Sequence, residues 1–416
     1  MKPTRLLLLA LLLVLAACQP RSNTPDVLPT LIDLNVIGTQ DAATAAAVAA
    51  TATAAIPPTS SVPTLPPTWT PSPVPTDPPT NEPVIGTRTP PSGAGTIYFI
   101  FNGDSIAALK ADGSDEKLIL VGGQPAQMTL SPDGKFLAYS AVAAGSAREV
   151  FITTLDGSYV QQVSCLGYAR ILFPTWSPDS QTLAFGASQT AAGTVEIYRA
   201  GVIGSGQCPA GNNQQKLADS GQNRITGLAW DNSGAHLFFS SGSIYGIDAT
   251  TATLTPPLTM PTGFGPDYSL AYDPSSTNLF FLKSFRDNNT GKTGGLLSQV
   301  DTSRLAELPL TEQRGTQIVA DNLHFTRDGR YLLLVSANGF GVQDMRLNTS
   351  RSLVQDTRFA PGAVFDASGD WITFINAGRG TPDIAQIYII QRTGDNGRQI
   401  SFHQEGTISD LNWGAS

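Results

Sequence analysis

The sequence predicts an all-β fold: a seven-bladed β-propeller whose seventh blade is closed by N- and C-terminal strands, preceded by a disordered Pro/Thr-rich tether. Three observations predict it. One four-residue turn, set between a bulky apolar residue and a β-rich strand, occurs six times. A Pro-rich tract separates these copies from an apolar N-terminus. The first and last stretches of the repeat region are complementary fragments of one further copy.

Composition agrees. Of 416 residues 41% are hydrophobic and 14% charged, with 40 Gly and 30 Pro, which suits a turn-rich β-protein better than a helical bundle. The net charge of −8 argues against nucleic acid, whose phosphates need a basic patch. Three Cys and three His leave little material for a metal site.

The chain opens MKPTRLLLLALLLVLAACQP. Lys2 and Arg5 precede an apolar run, Leu6 to Leu15, too short to span a bilayer comfortably. It ends Leu15-Ala16-Ala17-Cys18, which resembles the lipobox of bacterial lipoproteins. The resemblance implies a signal peptide over 1–17, diacylglyceryl transfer to the Cys18 sulfur and cleavage before Cys18. It places the chain on the extracytoplasmic side of the cell membrane, lipid-anchored. Two or three acyl chains hold firmly where one holds marginally.

Residues 18–92 read as a linker, Ala-rich and then Pro/Thr-rich. Pro57 to Pro91 holds thirteen Pro and eight Thr. Proline pins φ and donates no ladder hydrogen bond, so this tract is expected to be an extended spacer, reaching on the order of 100 Å at ~3.1 Å per residue.

Residues 93–416 carry the repeats. The turns are SPDG (131–134), SPDS (177–180), DNSG (231–234), DPSS (273–276), TRDG (326–329) and DASG (366–369). They follow Leu130, Trp176, Trp230, Tyr272, Phe325 and Phe365 and precede strands such as KFLAYS and AHLFFS. Spacings of 46, 54, 42, 53 and 40 residues are those of propeller blades. Pro presets φ for the turn, Gly accepts positive φ, and Ser, Thr or Asp bonds the turn backbone. Six copies of an apparent reactive loop are hairpin punctuation, so Asp133, Asp179 and Asp328 are read as structural. The chain finishes ISDLNWGAS, with Trp413 in the place of Trp176, while Gly95 to Val121 supplies three strands without a first. Joining them builds the seventh blade and removes the open edges.

Trp176-SPDSQTLAFG and Leu130-SPDGKFLAYS, with their later strands GTVEIYRAG and EVFITTLDGS, resemble the WD40-like PD40 repeats of the TolB family. The resemblance implies a β-propeller outside the cytoplasm. TolB proteins have six blades and an N-terminal α/β domain, whereas this chain reads as seven blades behind a lipidated stalk.

No G-x-S-x-G elbow, H-E-x-x-H or C-x-x-C occurs. His236 and His324 lie near the turns and are expected to be structural; His403 reads as a loop residue. The expectation is therefore no catalytic residue, no cofactor, no metal and no enzyme. The function expected is a membrane-anchored, non-catalytic binding or scaffold module. Its partner is a protein or cell-envelope ligand docked on a propeller face, with specificity loops at Ala200 to Gln215 and Ser284 to Gly295. The alternative is an extracytoplasmic propeller enzyme acting on glycans, a lyase or hydrolase. With Cys18 acylated, Cys165 and Cys208 are left to pair in an oxidising compartment.

Overall fold

The computed structural model describes residues 95–202, 214–286, 293–307, 312–318, 320–355, 358, 360–378 and 383–415. The expected signal peptide and tether, Cys18 and Cys208 lie outside these residues.

Seven four-stranded antiparallel sheets follow one another along the chain. Blade 1 comprises Ala126–Leu130, Phe136–Val142, Arg148–Thr154 and Val160–Gln162. Blade 2 comprises Arg170–Trp176, Thr182–Ser188, Glu196–Gly201 and Gln214–Asp219. Blades 3, 4, 5 and 6 begin with Leu228–Trp230, Asp267–Tyr272, Asn322–Phe325 and Ala360–Phe365. Blade 7 is composite: Ile408–Gly414 pairs with Thr96–Phe101, which is followed by Ser105–Lys110 and Lys117–Val121. Ile97 stands opposite Trp413 and Phe101 opposite Ile408, so the C-terminal strand fills the vacant first position. The ring is closed as the sequence reading expects.

Packing shows the closure independently. Strand residues alternate between the two faces of a blade. In blade 3, Leu237 and Phe239 join the apolar cluster shared with blade 2, and Phe238 joins the one shared with blade 4. Seven such clusters fill the seven blade interfaces. The cluster between blades 6 and 7 gathers Ile375, Ile387, Ile389, Ile97, Leu411 and Trp413. Between blades 7 and 1 lie Tyr98, Ile106, Leu137 and Tyr139. The first strands of successive blades pack on one another around the whole ring and enclose an axial channel.

Candidate functional site at the channel mouth

All six turns lie on one face of the ring, because each joins the first strand of its blade to the second. Their chemistry comes in two mirror forms. In SPDG, SPDS and TRDG the first-position hydroxyl donates to the third-position carboxylate: Ser131 to Asp133 at 2.7 Å, Ser177 to Asp179 at 2.6 Å and Thr326 to Asp328 at 2.6 Å. The same hydroxyl accepts the amide that opens the next strand, from Phe136, Thr182 and Tyr331 at 3.0, 2.9 and 3.0 Å. In DPSS and DASG the roles swap. Ser275 donates to Asp273 at 2.8 Å, and Ser368 donates to Asp366 at 2.6 Å while Asp366 accepts the Trp371 amide at 3.0 Å. The Thr326 hydroxyl and the Arg330 amide hold the Asp328 carboxyl below the usual carboxylate range. These carboxylates are occupied by their own turns, as expected of Asp133, Asp179 and Asp328.

The turns also lock blades together. The Ser180 hydroxyl accepts the Asp133 backbone amide at 3.1 Å, and Asn232 Nδ2 donates to Asp273 O at 2.9 Å and Ser276 O at 3.0 Å. The indoles of Trp176 and Trp230 donate to Thr129 O and Thr175 O of the preceding blade, each at 3.3 Å.

Within this ring of turns the channel opens into a cavity of about 470 Å³, inside the size range of ligand sites. Exposed prolines from three blades, Pro132, Pro178 and Pro274, stand at its rim. Half-buried Tyr272 and Phe325 contribute apolar wall. Arg327 of blade 5 reaches past the axis to donate to Pro132 O of blade 1 at 2.5 Å, three blades away around the ring. Among the described residues no carboxylate neutralises Arg327. Asp231 also lines the cavity; its Oδ2 accepts from Ser233 at 2.9 Å and pairs with His236 Nδ1 at 3.0 Å, while buried Oδ1 has no hydrogen-bond partner among the described residues.

The three histidines separate. His236 is tied to Asp231, in line with the structural reading. His403, in the connection leading to the last strand, holds Glu116 Oε1 at 2.6 Å and packs on Phe101. His324 departs from the structural expectation. It lines the cavity, water reaches it, and its ring makes no hydrogen bond among the described residues. Crowding by the channel wall pushes its imidazole below the usual histidine value.

A second cavity, about 380 Å³, lies on the opposite face between connecting segments of blades 2 to 4, lined by Gln222, Asn223, Arg224 and Gly265 among others. It is off the axis. The loops expected to set specificity, 200–215 and 284–295, lie largely outside the described residues. Their described parts line neither cavity.

One feature of the channel escaped the sequence reading. Gln127, Phe173, Ser269 and Asp410 occupy the same place in four first strands and have φ of 54°, 51°, 54° and 53°. Each sits at a β-bulge. The polar side chains among them cap the next blade: Gln127 Oε1 accepts the Phe173 amide at 2.5 Å, and Ser269 Oγ accepts the Leu323 amide at 3.0 Å. Asp410 accepts the Gln127 amide, yet burial dominates and raises its carboxyl above the usual range. The signal in the sequence is weak: three of these four residues are polar, just before the apolar stretch that leads into the turn.

Cys165 is disulfide-bonded. Its amide donates to Gln214 Oε1 at 2.8 Å, which places it beside the start of the last strand of blade 2. No group of three or more His, Cys, Asp or Glu among the described residues could hold a metal ion.

No protein-family model matches the chain, and no curated protein matches it. Solved structures do. An oligogalacturonate lyase in complex with manganese is 12% identical at a TM-score of 0.52, over 68% of this chain and 82% of that one. A functionally unknown protein from Desulfotomaculum acetoxidans is 11% identical at 0.50, over 76% and 98%. TolB from Acinetobacter baumannii is 14% identical at 0.45, over 76% and 81%. Such identities establish the propeller fold alone. They also correct one expectation. The reading that the chain is not an enzyme rested on the want of a local motif. The lyase has this fold. Propeller sites are assembled from several blades, so no contiguous motif is required, and the sequence argument for "no enzyme" does not stand.

Proposed function

We propose that this chain is a lipid-anchored propeller, acylated at Cys18 and displayed on the extracytoplasmic side of the cell membrane, that recognises an extended segment of a protein or cell-envelope ligand at its turn-face mouth. One observation carries the reading: a cavity of about 470 Å³ on the axis, rimmed by three prolines and crossed by an arginine that has no carboxylate partner among the described residues. Rigid blades hold loop residues in fixed positions, which favours recognition there. The apolar rim supplies contact area, and Arg327 supplies a bidentate donor for a carboxylate. Its bond to a neutral carbonyl is one that an anionic ligand displaces with gain.

The test is retention of envelope components by the immobilised full chain. Arg327→Gln and Pro178→Arg should release species that the wild type retains, while Phe264→Arg, on the opposite face, should not. Identical retention by all four proteins contradicts the assignment of the mouth.

A further inference from the structure

We infer that the turn-face mouth is occupied in cis by the chain's own Pro-rich segment, residues 66–83, so that the tether competes with external ligands. The inference rests on the proposed reading of the mouth as a binding site. The described chain begins at Gly95, which lies against the end of the last strand; a Cβ there would stand 3.2 Å from the Trp413 indole nitrogen. Gly95 and Gly414 therefore form the cut seventh turn, and the linker leaves the ring on the same face as the six intact turns. Blade 7 is the neighbour of blade 1, which carries Pro132.

The segment matches the mouth chemically. PPTWTPSPVPTDPPTNEP (66–83) holds eight prolines and two carboxylates, Asp77 and Glu82. Proline-rich chains dock in grooves lined by aromatic rings because little entropy remains to be lost, and Tyr272 and Phe325 supply such a wall. Arg327 lacks a carboxylate among the described residues, and Asp77 and Glu82 are the acids nearest in sequence on the N-terminal side of the entry point. The twelve residues between Glu82 and Gly95 reach about 40 Å when extended, enough to fold back onto a neighbouring turn. A segment joined by so short a linker acts at an effective concentration of order millimolar.

The experiment places a photo-crosslinking amino acid at position 178 of the full chain and maps adducts by mass spectrometry. The expected result is an intramolecular adduct within residues 66–83, independent of protein concentration. Its yield should fall about tenfold in Asp77→Asn/Glu82→Gln, the effect of losing one charge-assisted hydrogen bond. Absence of that adduct, or one that appears only between two chains, overturns the inference. If the tether adduct is absent while the same probe captures an external species, the cis inference fails and the reading of the mouth survives. If the tether adduct forms and Arg327→Gln leaves envelope retention unchanged, the inference survives and that reading fails.

Discussion

Truncation after Thr407 separates the closing of the ring from ordinary loss of packing. Ile408, Leu411 and Trp413 are 7%, 5% and 5% exposed and belong to the cluster between blades 6 and 7. Replacing a buried Leu by Ala costs about 2–5 kcal/mol, and a buried Trp about 3–5 kcal/mol. Truncation removes both and leaves Thr96–Phe101 with an unpaired inner edge. The loss is roughly 5–10 kcal/mol against a typical domain stability of 5–15 kcal/mol. Trp413→Ala keeps the strand and its ladder, so it is the control. It should melt roughly 6–10 °C lower, at about 2 °C per kcal/mol, and stay monomeric. The truncated chain should instead self-associate through its open edge and melt broadly. Light scattering after gel filtration, with a thermal melt of each protein, reads both. A truncated chain that is monomeric and melts with the wild type refutes the closure argument.

Further outcomes follow from single groups. We propose Cys208 as the partner of Cys165, six residues before Gln214, which binds the Cys165 amide; closing roughly 43 residues contributes about 4 kcal/mol, so Cys208→Ser should lower the melting temperature and abolish its response to reductant. An unchanged response to reductant points to another pairing. Burial raises the Asp410 carboxyl, so its cost is absent below the unfolded value near 3.9 and grows as pH rises through the folded value. Asp410→Asn should therefore raise the melting temperature at pH 7 and leave it unchanged at pH 3; a loss at pH 7 means that the Gln127 cap outweighs desolvation. His324 has a lowered value, so its neutral form contributes stability above the unfolded value near 6.5 that is lost as pH falls through the lower folded value. In His324→Gln the fall in melting temperature from pH 7 to pH 5 should be smaller than in the wild type.

The ring was legible in the sequence because its punctuation is local. Each turn needs a φ preset by Pro or released by Gly and a hydroxyl–carboxylate pair, and S-x-D and D-x-S satisfy the same bond in opposite senses. Trp413 betrayed the cut blade by standing where Trp176 and Trp230 stand. The mouth was not legible. Arg327 and Pro132 meet although 195 residues apart, and His324 faces the cavity only because blade 5 is placed by its neighbours. The left-handed residues Gln127, Phe173, Ser269 and Asp410 carry no glycine signal, since packing of adjacent blades imposes that backbone. Loop length drew attention to 200–215 and 284–295, but length follows tolerance of insertion, whereas the cavity is built from short turns of uniform length and from the first strands they follow.

The most direct measurement compares two photo-crosslinking probes on intact cells, one at Pro274 on the mouth rim and one at Asn102 in the turn on the opposite face. The account predicts a defined adduct with an envelope component from position 274, diminished by Arg327→Gln, and no such adduct from position 102. The same adduct from position 102, or one from position 274 that is indifferent to Arg327, would contradict it.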